Sequence, residues 1–523
     1  AGVAASNETF CARAGTHRQN ERTRTSRYFR RWDMMLFSCF NRKFNCFSTI
    51  WHNRPRICRT GLISNAKFFV FSIAGSRNGS FFVIFIRSIN RIEMKTLNIP
   101  QTEQKRVVVV GGGFAGLTLV QKLRKSNYQV VLVDQNNFHL FKPLLYQVAS
   151  AGLDESDIAF PFRRVFQTRR NVNFRLGRML RVKPEENLLE TSTGSVTYDY
   201  LVIATGCVPN FFGMDHIEQR SWPMSDIGDA LRIRNSVLRN LEKAVIATSE
   251  EERNALLNIV IVGGGASGVE IAGALAEMRS YIVPRDYPGV NISSMHIYLV
   301  EGRDKLLATM SPETSSDCLK VLEKKGVNVM LNTAVKDYQD NRVIFGDGTS
   351  ILSGNLIWTS GVKSEAVEGI GNSEKERRGR ILTDRYNRVQ GFDNIFAIGD
   401  IAITDDPQYP AGYPQLARVA ISQGERIAAN LIAVSKGKPM EPYEYRSIGV
   451  LATVGRNRAF AEWGKFRIKG FMAWLAWCFV HILFLLGVQN KIKVFSGWVW
   501  NYFGKDLPVR LIIGCGVPCK DAK

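Results

Sequence analysis

The sequence offers little material for a metal or disulfide centre. Only six histidines occur in 523 residues, and none of the nine cysteines form a C-x-x-C pair. The closest two, Cys515 and Cys519, are separated by three residues. This is neither a disulfide framework nor a common zinc spacing, and it excludes a redox-active dithiol of the usual kind. No grouping of His, Cys and acid suggests a metal, so none is expected. The cysteines read as small buried or incidental residues of a protein in a reducing compartment. Acidic residues are also scarce, 47 against 69 basic ones, for a net charge of +22. Such a balance suggests nucleic acid, an anionic membrane or an acidic substrate.

The excess is unevenly placed. Residues 1–93 hold 16 basic and 4 acidic side chains, leaving +10 of the +22 for everything after them. This segment alternates Arg-rich stretches such as Arg22–Arg31 with apolar fragments such as Phe68–Ala74 and Phe81–Ile86. It reads as sequence upstream of the enzyme, with a mitochondrial transit peptide as the alternative, and it is assigned no chemistry. Because half the charge lies there, nucleic acid is not an expected partner of the remainder. That remainder has ordinary apolar content and enough length for two or three domains.

Lys105–Val110 is a β-branched run that reads as a buried parallel strand. It runs into Gly111-Gly112-Gly113-Phe114-Ala115-Gly116, then a helical pattern to about Lys125, then a strand, Gln129–Val133, ending at Asp134. Strand, G-x-G-x-x-G, helix, strand and acid together specify a dinucleotide site. Gly111 permits the tight turn, Gly113 lets a pyrophosphate approach the backbone, and Gly116 lets helix and strand pack closely. The helix N-terminus presents free N–H groups to phosphate, and the acid is placed to grip ribose hydroxyls.

The pattern then repeats. A strand at 258–262 leads into Gly263-Gly264-Gly265-Ala266-Ser267-Gly268, a helix to about Arg279, and a strand at 296–300 ending at Glu301. The 38 residues from Gly263 to Glu301 exceed the usual spacing, and Tyr281–Val290 reads as an inserted loop. A carboxylate at Glu301 favours a 2′-hydroxyl over a 2′-phosphate, hence NADH over NADPH. Two further strand ends stand out: Ala204-Thr205-Gly206 after Tyr200–Ile203, and Gly399-Asp400 after Asn394–Ile398.

From Met94 onward, about 430 residues resemble the type-II NADH:quinone oxidoreductases. The resemblance rests on Phe138–Ala149 (FHLFKPLLYQVA, with Lys142), on Asn210–Gly213 and on Trp358–Val362, which contains Gly361. It rests also on Gly412–Gly424, which is similar to the family's quinone-site helix. Two departures stand in that helix: Arg418 replaces the family's first Gln, and Ser422 precedes Gln423.

The resemblance implies non-covalent FAD on the first fingerprint, with Ala204-Thr205-Gly206, Gly399-Asp400, Lys142 and Gly361 beside it. It implies NADH on the second fingerprint and a membrane quinone as acceptor, without proton pumping. Catalytic candidates are Glu270, placed on the opening turn of its helix, Arg418 and Gln423. A simple first-turn acid is the alternative for Glu270.

The fold implied is α/β, with two Rossmann-type domains and the NADH domain (226–370) inserted into the FAD domain (94–225 and 371–463). A C-terminal tail, 464–523, completes the chain. Its charge-free stretch, Phe471–Val488, has 18 residues, the lower limit for a membrane span. With the aromatic cluster Trp498–Phe503 it reads as a helix pair lying in one leaflet, a monotopic anchor separable from the rest. This places the protein peripherally on the inner face of a cytoplasmic or mitochondrial inner membrane. Monomer and homodimer are both compatible with the sequence. The rival readings are a soluble NADH:redox-protein reductase of the ferredoxin-reductase kind and a signalling flavoprotein like apoptosis-inducing factor.

Overall fold

A computed structural model describes residues 95–168, 171–370, 379–447 and 449–513, with two short antiparallel strands at Phe68–Phe71 and Ile84–Arg87. The remaining residues of the basic N-terminal segment, and Cys515 and Cys519, lie outside the described residues.

The chain from Lys95 begins with β1 (Arg106–Val110), α1 (Phe114–Leu123) and β2 (Gln129–Asp134). A short helix, α2 (Leu145–Ala149), β3 (Val172–Leu176) and β4 (Tyr200–Ile203) follow. Next come α3 (Ile227–Ile246), β5 (Ile259–Val262), α4 (Ala266–Tyr281), β6 (Ile297–Val300), β7 (Val327–Met330) and β8 (Asn355–Trp358). β9 (Ile395–Ala397) and α5 (Ala417–Val434) then return to the first unit.

Two parallel sheets result. The first runs β9-β4-β1-β2-β3, so its edge is completed by a strand from beyond the second sheet. The second runs from an edge pair at Trp222–Pro223 through β8, β5 and β6 to β7. One Rossmann unit is thus inserted in another, as the sequence implied. The central strands are continuous apolar runs because both faces are covered by helices: Val107–Val109 and Ile259–Ile261 have no exposed surface. An antiparallel pair, Val208–Pro209 with Val362–Lys363, ties the two units.

The segment expected to be an inserted loop is partly helical, at Val283–Asp286. Pro284 occupies the first turn, where its missing N–H costs nothing, so it starts a helix instead of breaking one.

The chain ends in a three-stranded sheet, β10 (Val450–Thr453), β11 (Ala459–Trp463) and β12 (Phe466–Gly470), and two helices, α6 (Phe471–Phe484) and α7 (Val488–Gly504). At 1.5 Å per residue, 14 residues span about 21 Å, short of a bilayer core of about 30 Å. No helix among the described residues is long and apolar enough to cross a membrane.

The helix pair is present, but it is not a separable appendage. Trp477 is 2% exposed, against Tyr146 and Trp498. Asn490 donates to three backbone carbonyls at Ser156, Asp157 and Ala159, and Trp498 Nε1 donates to Gln147 at 2.7 Å. The other side is bare: Phe471, Met472, Phe479, Leu483, Trp500 and Phe503 are exposed.

The two faces predict opposite outcomes. Trp477→Ala should lower stability by about 3–5 kcal/mol, the cost of a large core cavity. Phe479→Ser, without lipid, should stay within about 0.5 kcal/mol of the parent. Urea unfolding of the FAD-loaded protein measures both.

Candidate functional site

Both glycine fingerprints fold in the same way. A Cβ on Gly116 would drive into the carbonyl oxygen of Gly111, and one on Gly268 into that of Gly263. These are the close helix–strand approaches that only glycine permits. Around Gly113 and Gly265, by contrast, nothing lies within 4 Å of an added Cβ. Each of these two is the residue just before its helix, α1 or α4, where free N–H groups face open space. That clearing above a helix N-terminus fits a pyrophosphate.

The acid at each second strand end has a further task. Asp134 accepts from the N–H of Gly112 at 2.5 Å and from that of Asn136 at 2.6 Å. Glu301 accepts from Gly264 at 2.6 Å and from Arg303 at 2.9 Å. Each carboxylate therefore clamps the middle of its own glycine turn. Burial raises the Asp134 carboxyl, and the two backbone N–H groups and the Lys142 ammonium pull it back. His139, also from the family-like run, holds the Gly112 carbonyl through Nδ1 at 2.9 Å. Burial drops its pKa to about 4, so it stays neutral.

The remaining FAD-side candidates converge on this turn. Ala204 lies directly beneath Gly111, whose Cβ would meet the Ala204 carbonyl, and Thr205 and Gly206 continue into solvent-accessible backbone. Gly399, with φ +76°, packs on Ala115 and Ala420 at 3.4 and 3.6 Å from an added Cβ. Gln423, 2% exposed, accepts the Gly399 N–H at 2.7 Å and so fixes the Gly399-Asp400 turn. Lys142 is exposed and acts on both Asp134 and Cys207. Cys207 donates to Asp400 at 3.5 Å, and burial followed by Asp400 pushes its thiol up to about 12. It is no thiolate nucleophile. Gly361 faces the Phe212 ring, 2.6 Å from an added Cβ, at the join between the two units.

Three placements differ from the sequence expectations or extend them. Glu270 is not a first-turn acid: α4 begins at Ala266, and Glu270 lies in its second turn, 8% exposed. Burial pushes its pKa to about 8, opposed by the Thr453 N–H at 3.5 Å and by the Trp477 indole. Its surroundings, Tyr146 on α2 and Trp477 on α6, come from distant parts of the chain. They carried no signal of their own beyond the family-like run that holds Tyr146. Finally, Arg418 and Gln423 are both on α5 but face apart. Arg418 is exposed near Tyr443, while Gln423 is buried under Gly399. Ser422, the second departure, hydrogen-bonds Tyr443 at 2.8 Å.

No cluster of three or more His, Cys, Asp or Glu able to hold a metal occurs among the described residues.

The paired cradles define a two-dinucleotide flavoprotein, and comparison with known proteins agrees. The pyridine nucleotide-disulphide oxidoreductase family matches residues 105–424, and the chain belongs to it. Type II NADH:quinone oxidoreductase NdhA of Mycobacterium tuberculosis is 32% identical over 418 residues, 76% of this chain and 87% of that protein. The mitochondrial internal alternative NAD(P)H-ubiquinone oxidoreductase A1 of Arabidopsis thaliana is 28% identical, covering 77% of this chain and 86% of its own length. The structure of NDH2 from Plasmodium falciparum in complex with NADH has the same fold, with TM-score 0.71 at 20% identity over 79% of this chain and all of that one. Within its family the chain is a member of the type II NADH:quinone oxidoreductases.

The two cradles can be disabled separately. Gly116→Ala should abolish bound FAD, seen as loss of flavin absorbance on purification. Gly268→Ala should retain FAD but lose its bleaching by NADH. Loss of FAD in both variants would show that the two turns are not independent sites.

Proposed function

We propose that this chain works on a membrane surface, oxidising NADH and passing two electrons through non-covalently bound FAD to a membrane quinone, without pumping protons. The observation that carries the reading is the meeting, at one junction, of two dinucleotide cradles and a buried acid roofed by a helix whose far face is bare and apolar. FAD, when bound, supplies the hydride-accepting and electron-donating chemistry.

The chain's residues position and tune. Gly111, Gly113 and Gly116, with Phe114 and Ala115 opening the helix, hold the FAD pyrophosphate. Asp134 and Asp400 serve its hydroxyls, and Ala204-Thr205-Gly206, Lys142, Gly361 and Gly399 border the flavin. Gly263, Gly265 and Gly268 hold NADH, and Glu301 selects it over NADPH by repelling a 2′-phosphate. Gln423 sets the Gly399 turn, and the Arg418 guanidinium offers fixed positive charge to a quinone carbonyl in reduction.

Glu270 is the proton donor. A carboxyl kept neutral by burial can give a proton to a quinone oxygen at neutral pH, which an ordinary carboxylate cannot.

The bare face of α6 and α7, flanked by exposed Lys465 and Lys493, supports seating in one leaflet with basic side chains at the headgroups. The inner face of a cytoplasmic or mitochondrial inner membrane is the side that NADH reaches. A soluble reductase would gain nothing from this face.

The raised acid gives a signed pH dependence. The protonated form acts, so flavin reoxidation by quinone should fall as pH rises through about 8. Glu270→Gln should slow that half-reaction about a hundredfold and abolish its pH step. Stopped-flow reoxidation, followed from pH 6 to pH 10, measures this; a variant with the parent's rate and profile would remove Glu270 from the chemistry.

A further inference from the structure

Reducing a quinone to a hydroquinone takes two electrons and two protons. NADH delivers two electrons and one proton as hydride, so each turnover draws one more proton from water. Glu270 is 8% exposed, buried among Tyr146, Trp477 and the Thr453 N–H.

Next to it lies a cavity of about 90 Å³ between α2, α4, the turn after β10 and the two tail helices. Tyr146 and Trp477 line the cavity and also neighbour Glu270. Asn501 Oδ1 is buried without a hydrogen-bond partner, an acceptor on a residue that lines this space, while the Trp477 indole is turned to Glu270. Asn501 is 8% exposed and Trp477 2%. An unsatisfied buried acceptor beside a cavity of this size calls for water, and the space is large enough to hold it.

Glu277 also lines the cavity, two turns along α4 from Glu270, about 10 Å at 1.5 Å per residue. Ala274, between the two acids, lines the cavity wall. Glu277 reaches the surface in an ion-paired group. Lys325 Nζ is at 2.8 Å, the Arg456 N–H at 2.6 Å and Arg456 Nε at 3.4 Å. Arg456 and Lys505 both lie over Tyr281, and Arg456 also donates to the Asn501 carbonyl.

We propose that Glu277 and this cavity form the proton-supply path to Glu270, with water in the cavity passing protons from the partly exposed Glu277 cluster inward past Tyr146 and Trp477. The inference rests on Glu270 as the proton donor. In each cycle the O–H bond of Glu270 breaks as the hydroquinone O–H forms. A new O–H on Glu270 then forms with a proton from cavity water, and that water takes its replacement from Glu277 and the solvent beyond it. Glu277 acts through water and touches neither quinone nor flavin, so it is a positioning residue.

The test uses two variants that act differently, in the membrane-bound, FAD-loaded protein. Glu277→Gln keeps the shape and removes the carboxylate that can take up and release a proton. Ala274→Leu keeps the charges and fills the water space. Both should leave flavin bleaching by NADH within about twofold and slow reoxidation by a quinone at least about tenfold above pH 8, with a larger solvent isotope effect. Glu277→Asp should recover part of the rate. Parental reoxidation rates, pH profiles and isotope effects in both variants would overturn the proposal. If Glu270→Gln slows reoxidation while these two do not, only the path fails; if Glu270→Gln also leaves it unchanged, the donor assignment fails with it.

Discussion

The contact on which the structure depends is the approach of a helix backbone to the strand that precedes it. At Gly116 and again at Gly268 there is no room for a single carbon between helix and turn. That closeness aims each helix N-terminus at the clearing beside Gly113 or Gly265. It also leaves the middle N–H of each turn free to be tied down by Asp134 or Glu301. Around the first of the two turns the same tightness propagates outward. The Ala204 carbonyl abuts Gly111, Gly399 packs on Ala115, and Gly424 on α5 leaves no space for a Cβ against the Ala115 carbonyl. Four segments far apart in sequence thus converge on one turn.

Much of this was legible in the sequence because it is written in local pattern. β1 and β5 are uninterrupted apolar runs, and their limits fall within one residue of those read from the sequence. The order of strands, glycines, helices and acids carried the two Rossmann units, and the family resemblance implied that one is inserted in the other. What was not legible depends on contacts between distant segments. Glu270 is a catalytic candidate by resemblance and falls on the opening turn by sequence, where nothing nearby says that Tyr146 and Trp477 will bury it. Arg418 and Gln423 are both site candidates because they share a motif. A five-residue offset on a helix puts them on different faces, one in solvent and one under the Gly399 turn. The segment holding Val283–Asp286 looked like a loop because Pro284 reads as a breaker unless it is known to sit in a first turn.

The tail was legible in composition and not in role. α6 is apolar nearly all round, so periodicity does not reveal which side meets protein. The structure divides it. Ala473 and Trp477 go into the core, while Met472 and Phe479 go outward. One helix therefore belongs to two media, and the residue that roofs the buried acid sits one turn from residues bare to solvent.

With the bare face seated in lipid as proposed, that division makes the bilayer a ligand in the thermodynamic sense. A surface bound by the folded tail, and not in the same way by the unfolded chain, stabilises the fold by mass action, as a cofactor does. Because the inner face of the same helix closes over Glu270, lipid occupancy and the order of the quinone side share one free energy. Melting temperature should then depend on lipid concentration, and delipidation should loosen first the roof of the acid rather than the two glycine turns, whose packing lies wholly within the body.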